Sequence, residues 1–170
     1  MFEASPSPYL APFDGSFKVA EATTKPPENA PDKKQAKKQL RLIVDELYEL
    51  QKILYAHDRY AILCIFQAMD AAGKDGTIRA VTTGINPAGF QVHSFKQPSA
   101  EELDHDFLWR TTKRLPERGR IGIFNRSYYE EVLVVRVHPK ILDYQKLPDP
   151  IDLNEIWRKR YQMIENHEKH

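Results

Sequence analysis

The chain has 170 residues, enough for one α/β unit with a real core and too few for two full catalytic domains. Its 25 basic and 24 acidic residues leave a formal charge of +1, so the overall balance demands neither nucleic acid nor an acidic membrane, and any anion site must be local. One cysteine, Cys64, excludes a disulfide within the chain, and without a run of about 18 apolar residues or a basic-then-apolar N-terminus the expected location is cytoplasmic.

Residues 1–31 carry Pro6, Pro8, Pro12, Pro26, Pro27 and Pro31 with no sustained period, which predicts an extended arm ahead of a folded core over residues 32–170. Asp32 has the place of an N-cap, and Leu40, Ile43, Val44, Leu47, Leu50 and Leu54 form one apolar stripe on a helix of about five or six turns. The Lys33-Lys34 and Lys37-Lys38 pairs read as a solvated helix start. The apolar run Ala61–Phe66 then predicts a strand in which Cys64 is a small core residue.

Residues 68–77, AMDAAGKDGT, follow that strand and precede a helical segment expected over Thr77–Gly84. A phosphate-binding loop needs small residues so that backbone N–H groups converge on phosphate oxygens, a lysine that reaches the outer phosphates, and a helix N-terminus behind them. Ala71, Ala72, Gly73, Lys74, Asp75, Gly76 and Thr77 supply those parts. Against the pattern G-x-x-x-x-G-K-[ST], however, Ala68 replaces the first glycine and Asp75 the hydroxyl residue that would ligate magnesium, so a strict ATPase or GTPase reading fails. Asp70 offers a hard oxygen ligand for Mg2+ instead. The alternative is a loop whose glycines only turn the chain from strand to helix.

Downstream, Gln91–Phe95 has the length of a second strand, Ser99 and Glu102 form a capping-box pattern opening a helix through Leu115, and Ile121–Phe124 is a third strand. Ser127–Val137 has a mixed pattern, and a last helix starts near Asp152 or Asn154. Strand and helix in alternation imply a parallel sheet covered by helices on both faces, with ligands beyond the C-terminal strand ends. The loop after Phe66 and the Asn125-Arg126-Ser127 turn after Phe124 fall at two such ends and are expected to share a crevice. The six histidines show no zinc-ligand spacing, and Trp109 and Trp157 are expected to pack rather than bind a nucleobase.

Read together, AMDAAGKDGT, FKQP, HDFLWR and FNRSYYEEVLVVRVH, in that order between about Tyr48 and His138, resemble the second family of polyphosphate kinases. The resemblance implies a three-layer α/β fold of the P-loop kinase type with a parallel sheet, and transfer of a terminal phosphoryl group between inorganic polyphosphate and a nucleoside mono- or diphosphate with Mg2+. It implies that Lys74 holds the transferred phosphate, that Asp70 binds magnesium or orients the attacking phosphate, and that Arg126, after Asn125 at the strand tip, bridges phosphate oxygens with its planar fork. Arg79 is implied to face the polyphosphate chain and Glu131, or Glu130, to hold metal; Lys96 and Arg110 are further candidates for the anion channel. Members of that family continue through a basic lid segment not found here. The chain is therefore expected to be incomplete at its C-terminus, with an exposed apolar edge that favours a homo-oligomer. Two other readings stay open: a non-catalytic polyphosphate- or nucleotide-binding module, and an ATP-dependent nucleoside monophosphate kinase.

Overall fold

The computed structural model describes residues 6–148, 150 and 152–170. By internal contacts the chain divides into a first unit ending at Arg41 and a second, Leu42–His170. Residues 6–31 of the first are mostly exposed coil and turns with one 3-10 turn, Val19–Glu21. The boundary between units falls inside the long helix α1, Lys33–His57. Asp32 caps that helix, accepting from the backbone N–H groups of Lys34 at 2.7 Å and Gln35 at 2.8 Å, while Gln35 reaches back to the Asp32 N–H at 3.1 Å.

The predicted stripe of α1 is only partly the buried one. Val44 is buried and Leu40, Leu47 and Leu54 half-buried, but Ile43 and Leu50 are exposed, and Gln51 takes the core position between Leu47 and Leu54. The reason is a polar mate: the Gln51 amide donates to Asn86 O at 2.9 Å and accepts from Asn86 N–H at 3.2 Å, so its burial costs no unmade hydrogen bond. Gly89 leaves room for it, since a Cβ there would lie 2.3 Å from Gln51 Nε2.

Three parallel strands, β1 (Ile62–Phe66), β2 (Phe90–Ser94) and β3 (Ile121–Asn125), form one sheet in the order β1-β3-β2. The register pairs Phe66 with Asn125 and Asn125 with Ser94, so all three strands end level. Alternation along the strands makes two cores. On one face Ile121 and Ile123 pack with Cys64, Phe66, Phe90, Leu54 of α1 and Ile78 of α2, which spans Lys74–Thr82. On the other, Ile65 lies against Tyr128, Val132, Phe107 and Ile164 of the last helix, α5 (Leu153–Lys169). A parallel sheet whose central strand is buried on both faces gives the three layers expected from the sequence, while Ile62 of β1 and Val92 of β2 stay exposed.

Two elements differ from expectation. The Ser99–Glu102 capping box forms, but the predicted helix to Leu115 is two short ones, α3 (Ala100–Leu103) and α4 (Trp109–Thr112). Asp106 breaks it, because its carboxylate accepts from Leu108 N–H at 2.9 Å and starts a new turn, a competition that aspartate wins locally. The mixed segment after β3 is helical, with a π-helical turn over Glu131–Val135. Trp109 packs as predicted, stacked on His105 with centroids 3.9 Å apart. Among the described residues no helix is long and apolar enough to cross a membrane.

Candidate active site

The loop after β1 turns on two left-handed residues, Ala71 (φ 62°) and Gly73 (φ 88°), and Gly73 caps α2, which begins at Lys74, three residues earlier than predicted. Backbone hydrogen bonds fix both ends of the turn: Ala72 N–H donates to Met69 O at 3.3 Å and Thr77 N–H to Gly73 O at 2.9 Å. The Thr77 hydroxyl also donates to Gly73 O, at 3.2 Å. Asp70 stands out from the loop, its side chain 88% exposed.

The tip of the central strand meets this loop. Lys74, though only 11% of its side chain is exposed, donates its ammonium to Asn125 Oδ1 and lies 3.2 Å from Asp75 Oδ1. Asn125 closes the triangle, donating from Nδ2 to the same Asp75 oxygen at 2.6 Å. That bond, then Lys74 and more distantly Arg79, hold the Asp75 carboxyl below its ordinary pKa. Asp75, which broke the expected loop pattern, is thus the third corner of the lysine's hydrogen-bonded setting. Arg79 itself is exposed on α2.

Arg126, the next residue, adopts a left-handed backbone (φ 65°) that a non-glycine residue takes only when its surroundings enforce it. Its N–H is tied to Phe66 O at 3.0 Å. Its guanidinium bridges two carboxylates, Asp70 and Glu130, the latter at 2.9 Å, and these pairings, Glu130 foremost, raise its pKa further. The predicted crevice therefore forms: Asp70, Lys74, Asp75, Asn125 and Arg126 converge beyond the ends of β1 and β3.

Beside Arg126 and Glu130 opens a cavity of about 580 Å³, walled by Phe95, Phe107 and Tyr144 and reached by Lys96, Arg110 and Gln145. Arg110 donates to Lys96 O at 2.8 Å, pairs with Glu102 at 3.3 Å and lies 5.1 Å from the Phe95 ring centroid; burial lowers its pKa.

Glu131 corrects the sequence reading. Expected beside Asp70 as a Mg2+ ligand, it is buried and already paired, 3.2 Å from Arg160 Nε and accepting from Gln145 Nε2 at 2.9 Å. Burial pushes its pKa up against the opposing pull of Arg160. Its neighbour Glu130 pairs instead with Arg126 and Gln67 beside the loop. Gln67, which directly follows β1 and donates to Glu130, stands in none of the motifs singled out from the sequence; a polar residue right after an apolar strand, next to a loop, is its only signal there.

The family model for Polyphosphate kinase 2 matches residues 30–159. The chain belongs to the polyphosphate kinase 2 family. It is 64% identical over 132 residues to an ADP-polyphosphate phosphotransferase of Rhodopseudomonas palustris, covering 77% of this chain and 46% of that protein. An AMP/ADP-polyphosphate phosphotransferase of Meiothermus ruber is 42% identical over 137 residues, covering 81% of this chain and 47% of the relative. The crystal structure of polyphosphate kinase 2 from Arthrobacter aurescens superposes with a TM-score of 0.79 at 36% identity, covering 91% of this chain and 53% of that one. The chain thus spans about half the length of the family members it matches. Its P-loop kinase-like architecture is that of the family.

Proposed function

We propose that this chain carries the phosphate-binding half of a polyphosphate-dependent nucleotide phosphotransferase, moving a terminal phosphoryl group between inorganic polyphosphate and a nucleoside mono- or diphosphate. The observation that carries it is the convergence of Lys74 and Arg126, each preset by a hydrogen-bonded carboxylate, on one crevice at the C-terminal ends of parallel strands. The names of its relatives, which act on polyphosphate with AMP or ADP, support the substrate class.

Phosphoryl transfer asks little covalent chemistry of a protein; it needs cations and N–H groups placed where charge builds on the phosphoryl oxygens. Lys74 holds the transferred group, and the N–H groups of Gly73 to Gly76 at the start of α2, between the two that the turn itself uses, line the loop around it. Arg126 bridges donor and acceptor oxygens, its planar fork exchanging Asp70 for phosphate on binding. An acceptor phosphate is already ionised near neutral pH, so Asp70 orients rather than deprotonates. The aromatic-walled cavity beside Arg126 receives the acceptor's nucleoside, with Lys96 and Arg110 toward its phosphates.

Among the described residues no three His, Cys, Asp or Glu gather as a metal cage. Magnesium does not need one, since it binds through one or two carboxylates and substrate phosphates and keeps several waters. The exposed Asp70 carboxylate fits that role, and the ion would supply charge neutralisation between the phosphates. Leu42, Ile43, Leu50 and Ile53, exposed on α1, support self-association as a homo-oligomer. The setting is cytoplasmic, with no nucleic acid or membrane partner.

The test is incubation of the chain with polyphosphate, magnesium chloride and ADP or AMP, with the nucleotide products read by chromatography. Formation of ATP or ADP is expected. Binding of polyphosphate without turnover would select a binding module, and AMP phosphorylation driven by ATP but not by polyphosphate would select an ATP-dependent kinase.

A further inference from the structure

We propose that Gln67 is a positioning residue for the phosphate-binding arginine: its side-chain amide fixes Glu130, and through Glu130 the direction in which the Arg126 guanidinium points. The inference rests on the reading of Arg126 as a phosphate ligand, and Gln67 itself touches no reacting group.

The strand register sets the arrangement. Phe66 and Asn125 are paired across the sheet, so the residues that follow them, Gln67 and Arg126, emerge side by side, and Arg126 N–H donates to Phe66 O at 3.0 Å. Gln67 then uses both ends of its amide. Nε2 donates to Glu130 Oε1, and Oε1 accepts from the Ser127 hydroxyl at 3.3 Å. Ser127 is buried and in turn accepts from Tyr129 N–H at 3.1 Å, which aims its hydroxyl proton at Gln67. That orientation is the only one the amide can hold without facing its oxygen to the Glu130 carboxylate.

Of the two carboxylates on Arg126, Asp70 is 88% exposed and free to turn, whereas Glu130 is 26% exposed. Glu130 has one oxygen on Gln67 and the other on Arg126 at 2.9 Å, so neither can swing without breaking a bond. The fixed side of the arginine fork is therefore set from β1 through Gln67. Since misplacing a catalytic group by about 1 Å is worth on the order of 100-fold in rate, the strand tip gains leverage over chemistry it does not touch.

The experiment compares the full chain with Gln67→Leu, Gln67→Glu, Glu130→Gln and the double variant Gln67→Leu/Glu130→Gln. Steady-state turnover is measured with polyphosphate and ADP, and the Arg126 side-chain N–H resonance is followed in protein labelled with nitrogen-15 arginine. Gln67→Leu is expected to lower kcat about 10- to 100-fold with a smaller change in KM and in the thermal midpoint. In the Glu130→Gln background the same substitution should add less than about threefold, because both act on one bond. The Arg126 resonance should move in Gln67→Leu. Gln67→Glu, close in shape and opposing Glu130 with a second carboxylate, should displace it too, and it serves if the leucine variant does not fold. Unchanged kcat with Gln67→Leu, fully additive losses, or an unmoved Arg126 resonance would overturn the proposal. If the unsubstituted chain shows no turnover, the functional reading fails and the resonance alone decides whether Gln67 positions Arg126.

Discussion

Lys74 and Asn125 meet across 51 residues of sequence: the lysine ammonium donates to Asn125 Oδ1 at the tip of the central strand, and Asn125 passes a second hydrogen bond to Asp75. An ammonium on a flexible stem is thereby held in one direction, which under the proposed function spares reorganisation when charge develops on a phosphate. Lys74→Ala should reduce kcat by about 100- to 1000-fold with little change in thermal midpoint. Asn125→Leu, which keeps the charge but releases the aim, should cost less. Steady-state kinetics alongside thermal unfolding separates the two effects, and a loss in Asn125→Leu equal to that in Lys74→Ala would contradict the aiming role.

Arg126 combines a charged fork with a left-handed backbone. Lysine at this position should not rescue activity, because a point charge cannot bridge two oxyanions; Arg126→Lys and Arg126→Ala are both expected to lose about 1000-fold or more. The backbone gives a separate outcome. Arg126→Gly should be more stable than Arg126→Ala by about 1 kcal/mol, since glycine adopts φ 65° without a Cβ clash. Urea unfolding of the two variants checks it.

The Glu131–Arg160 pair is nearly buried, each side chain 7% exposed, with the Arg160 guanidinium 4.2 Å from the Phe107 ring. Arg160→Met strands a buried carboxylate and should destabilise the fold by about 3–5 kcal/mol at neutral pH. Replacing both, Glu131→Leu with Arg160→Met, should recover most of that loss. A double variant no more stable than Arg160→Met alone would mean that the pair's own attraction dominates.

Tyr128 and Tyr129 both donate to Glu168 on α5, Tyr128 at 2.9 Å, and burial followed by that carboxylate raises both phenol pKa values above the ordinary 10.0. A raised folded-state pKa favours the protonated form in the native state. The contribution is therefore complete below the ordinary tyrosine value and is lost as pH rises through the folded values. Of the eight tyrosines, these two should ionise last in a tyrosinate absorbance titration, and unfolding should accompany them. Tyr128→Phe with Tyr129→Phe should remove the alkaline step.

Local pattern carried much of the fold. Alternating strands and helices, the Asp32 and Ser99 caps and the phosphate loop all lie within a few residues of where composition and spacing put them. The failures share a cause. Asp106 split a predicted helix by accepting from Leu108 N–H, Gln51 entered the core because Asn86 pairs with its amide, and Glu131 is held by Arg160 and Gln145 rather than offered to the loop. In each case a specific partner outweighed periodicity, and partners are not written in a hydrophobic pattern.

For this protein the sequence by itself singled out the candidate phosphate-site groups: Asp70, Lys74 and Arg126 stand in local motifs that can be picked out without coordinates. Only the tertiary structure decided how they are held. Pairing Phe66 with Asn125 across parallel strands brings two distant loops level, and that register makes Asn125 the partner of Lys74, Glu130 the partner of Arg126, and Gln67 the bridge between the strand tips. Contacts of this kind depend on which strands become neighbours, a long-range choice set by burying both faces of the sheet at once.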